Sequence, residues 1–511
     1  MPPESQVLMK ELAPIHPHFV GVVFASLTEV RELLLEIFET APTHHILKHV
    51  SDDQLLFELF FQDGSFLNVA CGMSKQQDHS DPLRAGLPRV EIAAASMCRT
   101  GKNQIDCVLT RVRAAVQRFS SSEIARVAEL NPLLTATCDA YLKAGCDQLQ
   151  DVNLVFRDHL LIEKFNLVRE LVRVGLRPSR CWIIGKEDQS LYSHQVKAAY
   201  ISLGTRVVGS YCAGEMQYLA PSIIEELDGQ KAIVVDDGGD LISAMSQCEA
   251  ERRMVFMPVE TTSKGITKLR RLGIPCLDLA TTSIKESLSR QIAVSCVVRA
   301  RDLLRHSKFS GETCHVLGFG KLGRHVAVLL QQMGVRVSVS DPDPCARAHA
   351  RKNGFHTTEQ ATPALAAFPH AFIFGCSGVQ ALQGVDVECL KSPAFLISAS
   401  SQDLINAVAY LKAIAKVQHR PGFGDTYTYS DGRCVHVLAH GHAVNLYQAE
   451  GVPEPEYDPF TTLLAVTIVE LARWCSRSIS LQGPKVDVEE LCNIVRTMSA
   501  SLTSFCKGNG R

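Results

Sequence analysis

The sequence has no run of about 20 apolar residues, no long basic tract, no CxxC pair, no low-complexity stretch and no internal repeat. Each absence closes off a class. A transmembrane helix is not expected. Charge is nearly balanced, 52 basic against 54 acidic residues for a net −2, so neither nucleic acid nor an anionic membrane is an expected partner. The 18 cysteines are scattered through apolar contexts such as Ala70-Cys71-Gly72 and Thr313-Cys314-His315, and read as reduced, mostly buried thiols of a cytoplasmic protein. No Cys/His grouping has zinc spacing, so no metal is expected. The opening Met1-Pro2-Pro3-Glu4-Ser5 lacks the basic flank and apolar core of an export signal.

What is present is the material of several cores. At 511 residues the chain exceeds what one hydrophobic core sustains, and two to four domains are expected. Residues 1–125 read as a small α/β extension. It has a strand at Phe19-Val20-Gly21-Val22-Val23-Phe24, helical spacing from 29 to 40, and a hairpin whose arms, Leu55–Phe61 and Phe66–Ala70, flank Gln62-Asp63-Gly64-Ser65. Lys75–Pro82 reads as an exposed polar loop. No catalytic grouping stands out here, and the expected role is regulatory or a contact with a protein partner. From about 126 onward short apolar runs alternate with amphipathic stretches. Leu154-Val155-Phe156, Cys181–Ile184, Ala232–Val235 and Met254–Met257 come first, then Ala371–Phe374 and Phe395-Leu396-Ile397. That alternation predicts doubly wound parallel sheets. Pro453 to Pro459 reads as a Pro-rich turn or linker.

The most informative segment is Gly318-Phe319-Gly320-Lys321-Leu322-Gly323. It follows the apolar run His315-Val316-Leu317 and opens the helix-like run 324–330. A second apolar run, 335–340, then ends on Asp341. Gly318 permits a tight turn, Gly320 lets backbone approach a pyrophosphate, and Gly323 lets helix and strand pack closely. The helix start, with Lys321 and Leu322, offers N–H groups to the phosphates. Asp341 is placed for a ribose, and its charge favours NAD over a cofactor with a 2′-phosphate.

Outside this turn the order Asp236-Asp237-Gly238-Gly239-Asp240, then Glu260-Thr261-Thr262, then the glycine turn, then Asp431-Gly432-Arg433 through Leu446, resembles the S-adenosylhomocysteine hydrolase (adenosylhomocysteinase) family over roughly residues 130–475. The resemblance implies two Rossmann-like, doubly wound α/β domains. A substrate-type domain would span 126–288, completed by about 452–480. An NAD domain would span 289–450, and a helical tail 481–511. It also implies tightly bound NAD and a homo-oligomer. The implied chemistry oxidises a ribose 3′-hydroxyl, eliminates homocysteine, adds water and reduces the sugar again. Carried over position by position, His159, Asp236, Glu260 and Lys285 would be the acid–base set, and Glu163 would meet the adenine. Thr261, Thr262, Ser377 and Asn445 would join the glycine turn (Gly318, Gly320, Lys321, Leu322, Gly323) and Asp341 on the cofactor. Each also has a plain structural reading. His159 can cap the following helix, Asp236 to Asp240 can form a turn, Glu260 can cap a helix near Thr261, Lys285 can be an exposed partner of Glu286, and Ser377 can belong to an ordinary strand-to-helix turn.

The departures from the family pattern fall on substrate contacts. Ser289 and Arg290 stand where the family has Asp-Asn, Leu161 replaces a threonine, Ser400-Ser401-Gln402-Asp403 replaces Gly-His-Phe-Asp, and Gly451-Val452-Pro453 replaces Gly-His-Pro. The C-terminal Phe505–Arg511 does not resemble the family's Lys/Tyr-bearing tail. A well-placed acid or base contributes roughly 10²–10⁴-fold in rate, so the hydrolase activity is expected to be altered or lost. The role is then regulatory or scaffolding in the setting of the S-adenosylmethionine cycle. The alternatives are an active enzyme on S-adenosylhomocysteine or a related nucleoside thioether, and an NAD-dependent dehydrogenase of the 2-hydroxyacid type.

Overall fold

A computed structural model describes residues 17–40, 44–51, 53–61, 65–74, 83–84, 87–97, 102–116, 118–186, 189–252, 256–304, 311–367, 371–400, 403–452, 454–477 and 493. The sequence readings of 62–64, 75–82, 401–402, 453, 505–511 and most of the tail lie outside these residues.

Residues 1–132 and 194–202 form one compact unit. Its sheet is built from β1 (Pro17–Val23), β2 (His44–Ser51), β3 (Gln54–Phe60), β4 (Phe66–Met73) and β5 (Val90–Met97), in the order β1-β5-β4-β3-β2 and antiparallel throughout. Leu55, Phe57 and Leu59 alternate inward along β3, the period-two signature of a half-buried strand. They share a core with Val30, Leu34 and Phe38 of helix Leu27–Glu39 and with Val108 and Val112 of helix Lys102–Val116. Ser26 and Glu29 close a capping box at the first helix. This unit is an antiparallel sheet with helices packed on it.

The remaining residues form the second unit, which carries two sheets. The first is made of β6 (Asn153–Asp158), β7 (Cys181–Lys186), β8 (Arg206–Tyr211), β9 (Ala232–Asp236), β10 (Phe256–Glu260) and β11 (Leu277–Asp278), ordered β11-β10-β9-β6-β7-β8 and parallel throughout. The chain leaves β6 toward β7 and returns to its other side as β9, so the strand order reverses between β6 and β9. A crevice opens beyond the carboxyl ends of strands at such a reversal.

The second sheet contains β12 (Thr313–Leu317), β13 (Arg336–Ser340), β14 (His356–Thr358), β15 (Phe372–Gly375), β16 (Ala394–Ser398), β17 (Lys416–Arg420), β18 (Gly424–Thr428) and β19 (Cys434–Leu438), ordered β14-β13-β12-β15-β16-β19-β18-β17. It is parallel except at its last two strands. Its reversal lies between β12 and β15, at the glycine turn. Helix Ser283–Leu304 runs between the two sheets and packs on helix Lys321–Gln332, on the turn Val444–Leu446 and on helix Glu454–Arg477.

The Pro-rich segment is not a linker. Pro455 and Pro459 lie within the first turns of helix Glu454–Arg477. Pro455 suits the helix start, because the first N–H groups have no intrahelical acceptor anyway, whereas Pro459 lies inside the helix. Asp458 of that helix accepts from Leu133 N (2.8 Å) and Leu134 N (3.0 Å), capping helix Pro132–Lys143.

Candidate functional site

The glycine turn sorts its three glycines by what surrounds them. Gly318 has φ +91°, and a Cβ there would lie 2.8 Å from Ser377 Cα. A Cβ on Gly323 would fall 1.9 Å from the Gly318 carbonyl oxygen. Gly320 instead faces open space, with nothing within 4 Å of its Cβ position. Among the described residues no side chain caps the helix that begins at Lys321. Two glycines therefore close the turn against β15, and the third leaves a bare backbone at an uncapped helix N-terminus, a cradle for an anion. Asp341 closes the other side. Its Oδ2 accepts from Phe319 N (2.7 Å) and its Oδ1 from Asp343 N (2.8 Å), which pins the carboxylate and leaves lone pairs for sugar hydroxyls. Lys321 reaches away from the turn, donating to Ala280 O at 2.7 Å just before helix Ser283–Leu304.

Ser377 stands beside Gly318, but its hydroxyl is engaged by Asp403 and Val379 O. Asp403 Oδ1 also accepts from Ser377 N (2.8 Å) and Gly378 N (3.1 Å), and Oδ2 from Ser400 Oγ. Asp403 is fully buried, and burial raises its carboxyl above the ordinary value despite those bonds. It is the residue kept from the otherwise altered 400–403 segment, and it builds the wall of the cofactor turn. Asn445 lies buried in the turn Val444–Leu446 against helix Ser283–Leu304.

The second group gathers at the β6/β9 reversal. Asp236 faces inward. Its Oδ1 takes Arg157 Nη1 at 2.9 Å, and its Oδ2 accepts from Leu241 N (2.8 Å) and Ile242 N (3.1 Å), so it anchors helix Asp240–Arg252. Burial pushes its carboxyl up, while Arg157 and the amides hold against it. The residue turned to the crevice is Asp237, bonded to Lys186. Burial alone would raise the Asp237 carboxyl, but Lys186, His159 and Lys285 outweigh it and hold it far below the usual carboxylate range. His159 sits half-buried just after β6. Thr282 caps the helix that carries Lys285, accepting from Lys285 N at 3.2 Å. Burial lowers the Lys285 ammonium to about 8, against the opposing pull of Asp237. Its Nζ stands 4.2 Å over the ring of Phe460.

Glu260 ends β10 fully buried. Its Oε1 accepts from Gly238 N (3.0 Å), Thr262 N (2.8 Å) and Thr262 Oγ1 (2.6 Å). Its Oε2 has no hydrogen-bond partner among the described residues. Burial, and then the charge of Asp236, push this carboxyl up to about 8. Gly265 makes room for it, since a Cβ there would lie 2.3 Å from Glu260 Cδ. Thr262, not Glu260, caps helix Ser263–Arg271 by accepting from Gly265 N. Thr261 Oγ1 lies 3.3 Å from Asp237 Oδ2. Glu163 is buried in the first turn of helix Ile162–Arg173 beside Lys164, whose ammonium is held up, despite burial, by Asp158 at 2.8 Å.

Sequence reasoning gave no role to Asp237, Lys186, Gly265, Asp403 or the Asp158–Lys164 pair. Asp237 stands in full view within its motif, but only the side-chain directions at the end of β9 separate it from Asp236. Two of the departures have clear consequences. Ser289 Oγ donates to Lys285 O (2.9 Å) and so supplies no carboxylate beside the amine, and Leu161 packs with Ala443 and Leu446. A cavity of about 250 Å³, lined by Ser283, Ser287, Leu288, Glu456 and Phe460, flanks the Lys285 helix without containing any of the predicted site residues.

A parallel sheet with a glycine turn, a bare helix start and a ribose-placed carboxylate defines an NAD-binding protein of the Rossmann type. Residues 284–451 match the family described as "S-adenosyl-L-homocysteine hydrolase, NAD binding domain". The chain is 27% identical to adenosylhomocysteinase of Aeropyrum pernix over 253 residues, covering 47% of this chain and 59% of that relative. It is 26% identical to S-inosyl-L-homocysteine hydrolase of Methanopyrus kandleri over 293 residues, covering 55% and 68%. Among solved structures, a transhydrogenase from Sinorhizobium meliloti aligns with TM-score 0.32 and 14% identity, over 63% of this chain and 96% of that one. The chain thus spans less than two thirds of the first curated relative it matches. Residues 284–451 thus match that family's NAD-binding domain, the chain resembles adenosylhomocysteinases distantly over about half its length, and its cofactor is NAD. No described helix is long and apolar enough to cross a membrane.

Proposed function

We propose that this protein retains NAD and performs redox-assisted acid–base chemistry on a nucleoside thioether related to S-adenosylhomocysteine, with sugar recognition altered from that of the family's hydrolases. One observation carries the reading: Lys285, lowered to about 8, interacts with Asp237 and Glu260 at a strand reversal, with His159 acting on the same Asp237. A group poised near the operating pH is what proton transfer requires.

NAD, when bound, supplies a hydride acceptor for a sugar carbinol. Gly320, Lys321 and Leu322 offer backbone N–H groups to its pyrophosphate, and Asp341 accepts from its ribose. Thr261, Thr262, Ser377 and Asn445 line the remaining approach. In the crevice, neutral Lys285 accepts the hydroxyl proton and anionic Asp237 stabilises the ammonium that results. Glu260, which keeps its proton at neutral pH, donates through the oxygen that has no partner among the described residues. His159 completes proton transfer at the far side of the sugar, and Glu163 faces the base.

A second reading is favoured by the packing of Leu161 with Ala443 and Leu446, which puts apolar surface where the family offers a hydroxyl to the substrate. In it NAD is a structural ligand and the protein a regulator or scaffold, working as a homo-oligomer or through a protein partner of its N-terminal unit. A tightly held ligand stabilises a fold by about 3–4 kcal/mol at 100–1,000 times its Kd, so a cofactor kept without turnover is reasonable.

Small molecules released from the purified protein and weighed by mass spectrometry give its NAD content. Incubation with S-adenosylhomocysteine and a thiol reagent then separates the readings. Homocysteine release that Lys285→Met abolishes supports the enzyme. NAD retention with no thiol from this or related nucleoside thioethers supports the regulator.

A further inference from the structure

The antiparallel edge of the larger sheet holds a side-chain cluster that the site above does not use. His419 on β17 stands directly opposite Asp425 on β18. His419 Nδ1 lies 2.6 Å, and His440 Nδ1 2.8 Å, from the same oxygen, Asp425 Oδ1. The three ligand atoms lie within 4.8 Å of one another. We propose that His419, Asp425 and His440 form a divalent transition-metal site of the Zn²⁺ type.

The donor set is two imidazoles and one carboxylate, without thiolate and without the many oxygens that Ca²⁺ or Mg²⁺ require. The anion is the buried member: the Asp425 side chain is 3% exposed, against 27% for His440 and 69% for His419. A metal therefore enters past His419 and keeps a water on that side, giving three protein ligands and one open position. The backbone is shaped for it. Gly424 has φ +136°, and a Cβ there would fall 2.1 Å from Val437 O, so only glycine lets β18 approach β19 beside Asp425. His440 adopts φ 55° and ψ 20°, a left-handed conformation uncommon outside glycine, and this aims its ring back at Asp425.

A supporting partner is in place. Tyr447 Oη lies 3.3 Å from His440 Nε2. Without metal both rings donate Nδ1–H to Asp425, and Tyr447 donates to His440 Nε2. With metal on Nδ1 the ring proton moves to Nε2, and Tyr447 becomes its acceptor. Metal-bound histidines commonly have their second nitrogen fixed in this way.

The test uses the full chain, stripped with a chelator and dialysed. Zn²⁺ is titrated against a chromophoric chelator, and Co²⁺ is followed by its visible tetrahedral absorption. One metal per chain is expected, with a rise in Tm on Zn²⁺ addition. His419→Ala, at an exposed position, and His440→Ala should each lose the Co²⁺ band while keeping wild-type NAD content. Tyr447→Phe should weaken Zn²⁺ by about 10–100-fold. Wild-type protein that takes up no Zn²⁺, or uptake unchanged in both histidine variants, would overturn the proposal.

Discussion

Asp236 and Asp237 are neighbours in sequence and face opposite environments: the first is sealed against Arg157 at 2.9 Å, the second points to the crevice and is bonded to Lys186. Replacing each should separate stability from activity. Asp236→Ala leaves Arg157, 2% exposed, without its main partner, and should cost about 3–5 kcal/mol in chemical denaturation. Asp237→Asn should cost less stability and lower turnover by about 10²–10⁴-fold. Equal stability losses in both would contradict these assignments.

The glycine turn predicts three distinguishable variants. Gly320→Val puts its side chain into open space, so the cofactor-free protein should keep its Tm while NAD retention is lost. Gly323→Ala cannot be accommodated beside the Gly318 carbonyl, and Gly318→Ala meets Ser377 at a positive φ. Both should unfold at lower denaturant, by roughly 1–3 kcal/mol or more, with or without NAD. Wild-type NAD content in Gly320→Val would remove the pyrophosphate cradle.

Turnover should depend on pH through the two groups near 8. In the proposed reaction Lys285 acts as the neutral amine, so kcat/KM should rise about tenfold per pH unit below 8. In the same proposal Glu260 acts with its proton, so the rate should fall again above 8. The profile is then a narrow maximum near pH 8. Glu260→Gln, which keeps an N–H donor, should remove the alkaline limb and leave the acid limb in place.

Glu260 should also leave a mark on stability. Its folded pKa is raised from 4.5 to about 8. Between those values the folded protein holds a proton that the unfolded chain has released. Stability from this group is therefore complete below pH 4.5 and declines as pH rises toward 8, by an amount on the order of a few kcal/mol. Denaturant midpoints of the Lys285→Met background, with and without Glu260→Gln, should diverge across that window. Parallel curves would mean that Glu260 is ionised in the fold.

The period of the sequence was enough for much of the architecture. Unbroken apolar runs at 154–156, 181–184 and 232–235 belong to strands buried on both faces, and such strands lie in parallel sheets. The glycine spacing and Asp341 fall within the matched NAD-binding domain and were legible because such a turn is local, completed within about 25 residues of chain. The linker reading of the Pro453–Pro459 segment failed over 454–459 because prolines near a helix start look like a linker until the rest of the helix is packed. The hairpin of β3 and β4 was legible from its local turn, whereas the pairing of β1 with β5 lay beyond reach, since it joins segments about 70 residues apart that composition does not connect.

By itself, then, the sequence determined which residue types stand at the strand ends and that one turn fits a dinucleotide. These follow from backbone sterics and from short-range order. The tertiary structure decided which of two adjacent aspartates faces the crevice, that Lys285 loses its proton more readily, that Asp403 shapes the cofactor wall, and that His419, Asp425 and His440 meet. Each of these depends on distance and burial between segments far apart in the chain. Electrostatic energy is set by those distances and by exclusion of water, not by order along the backbone.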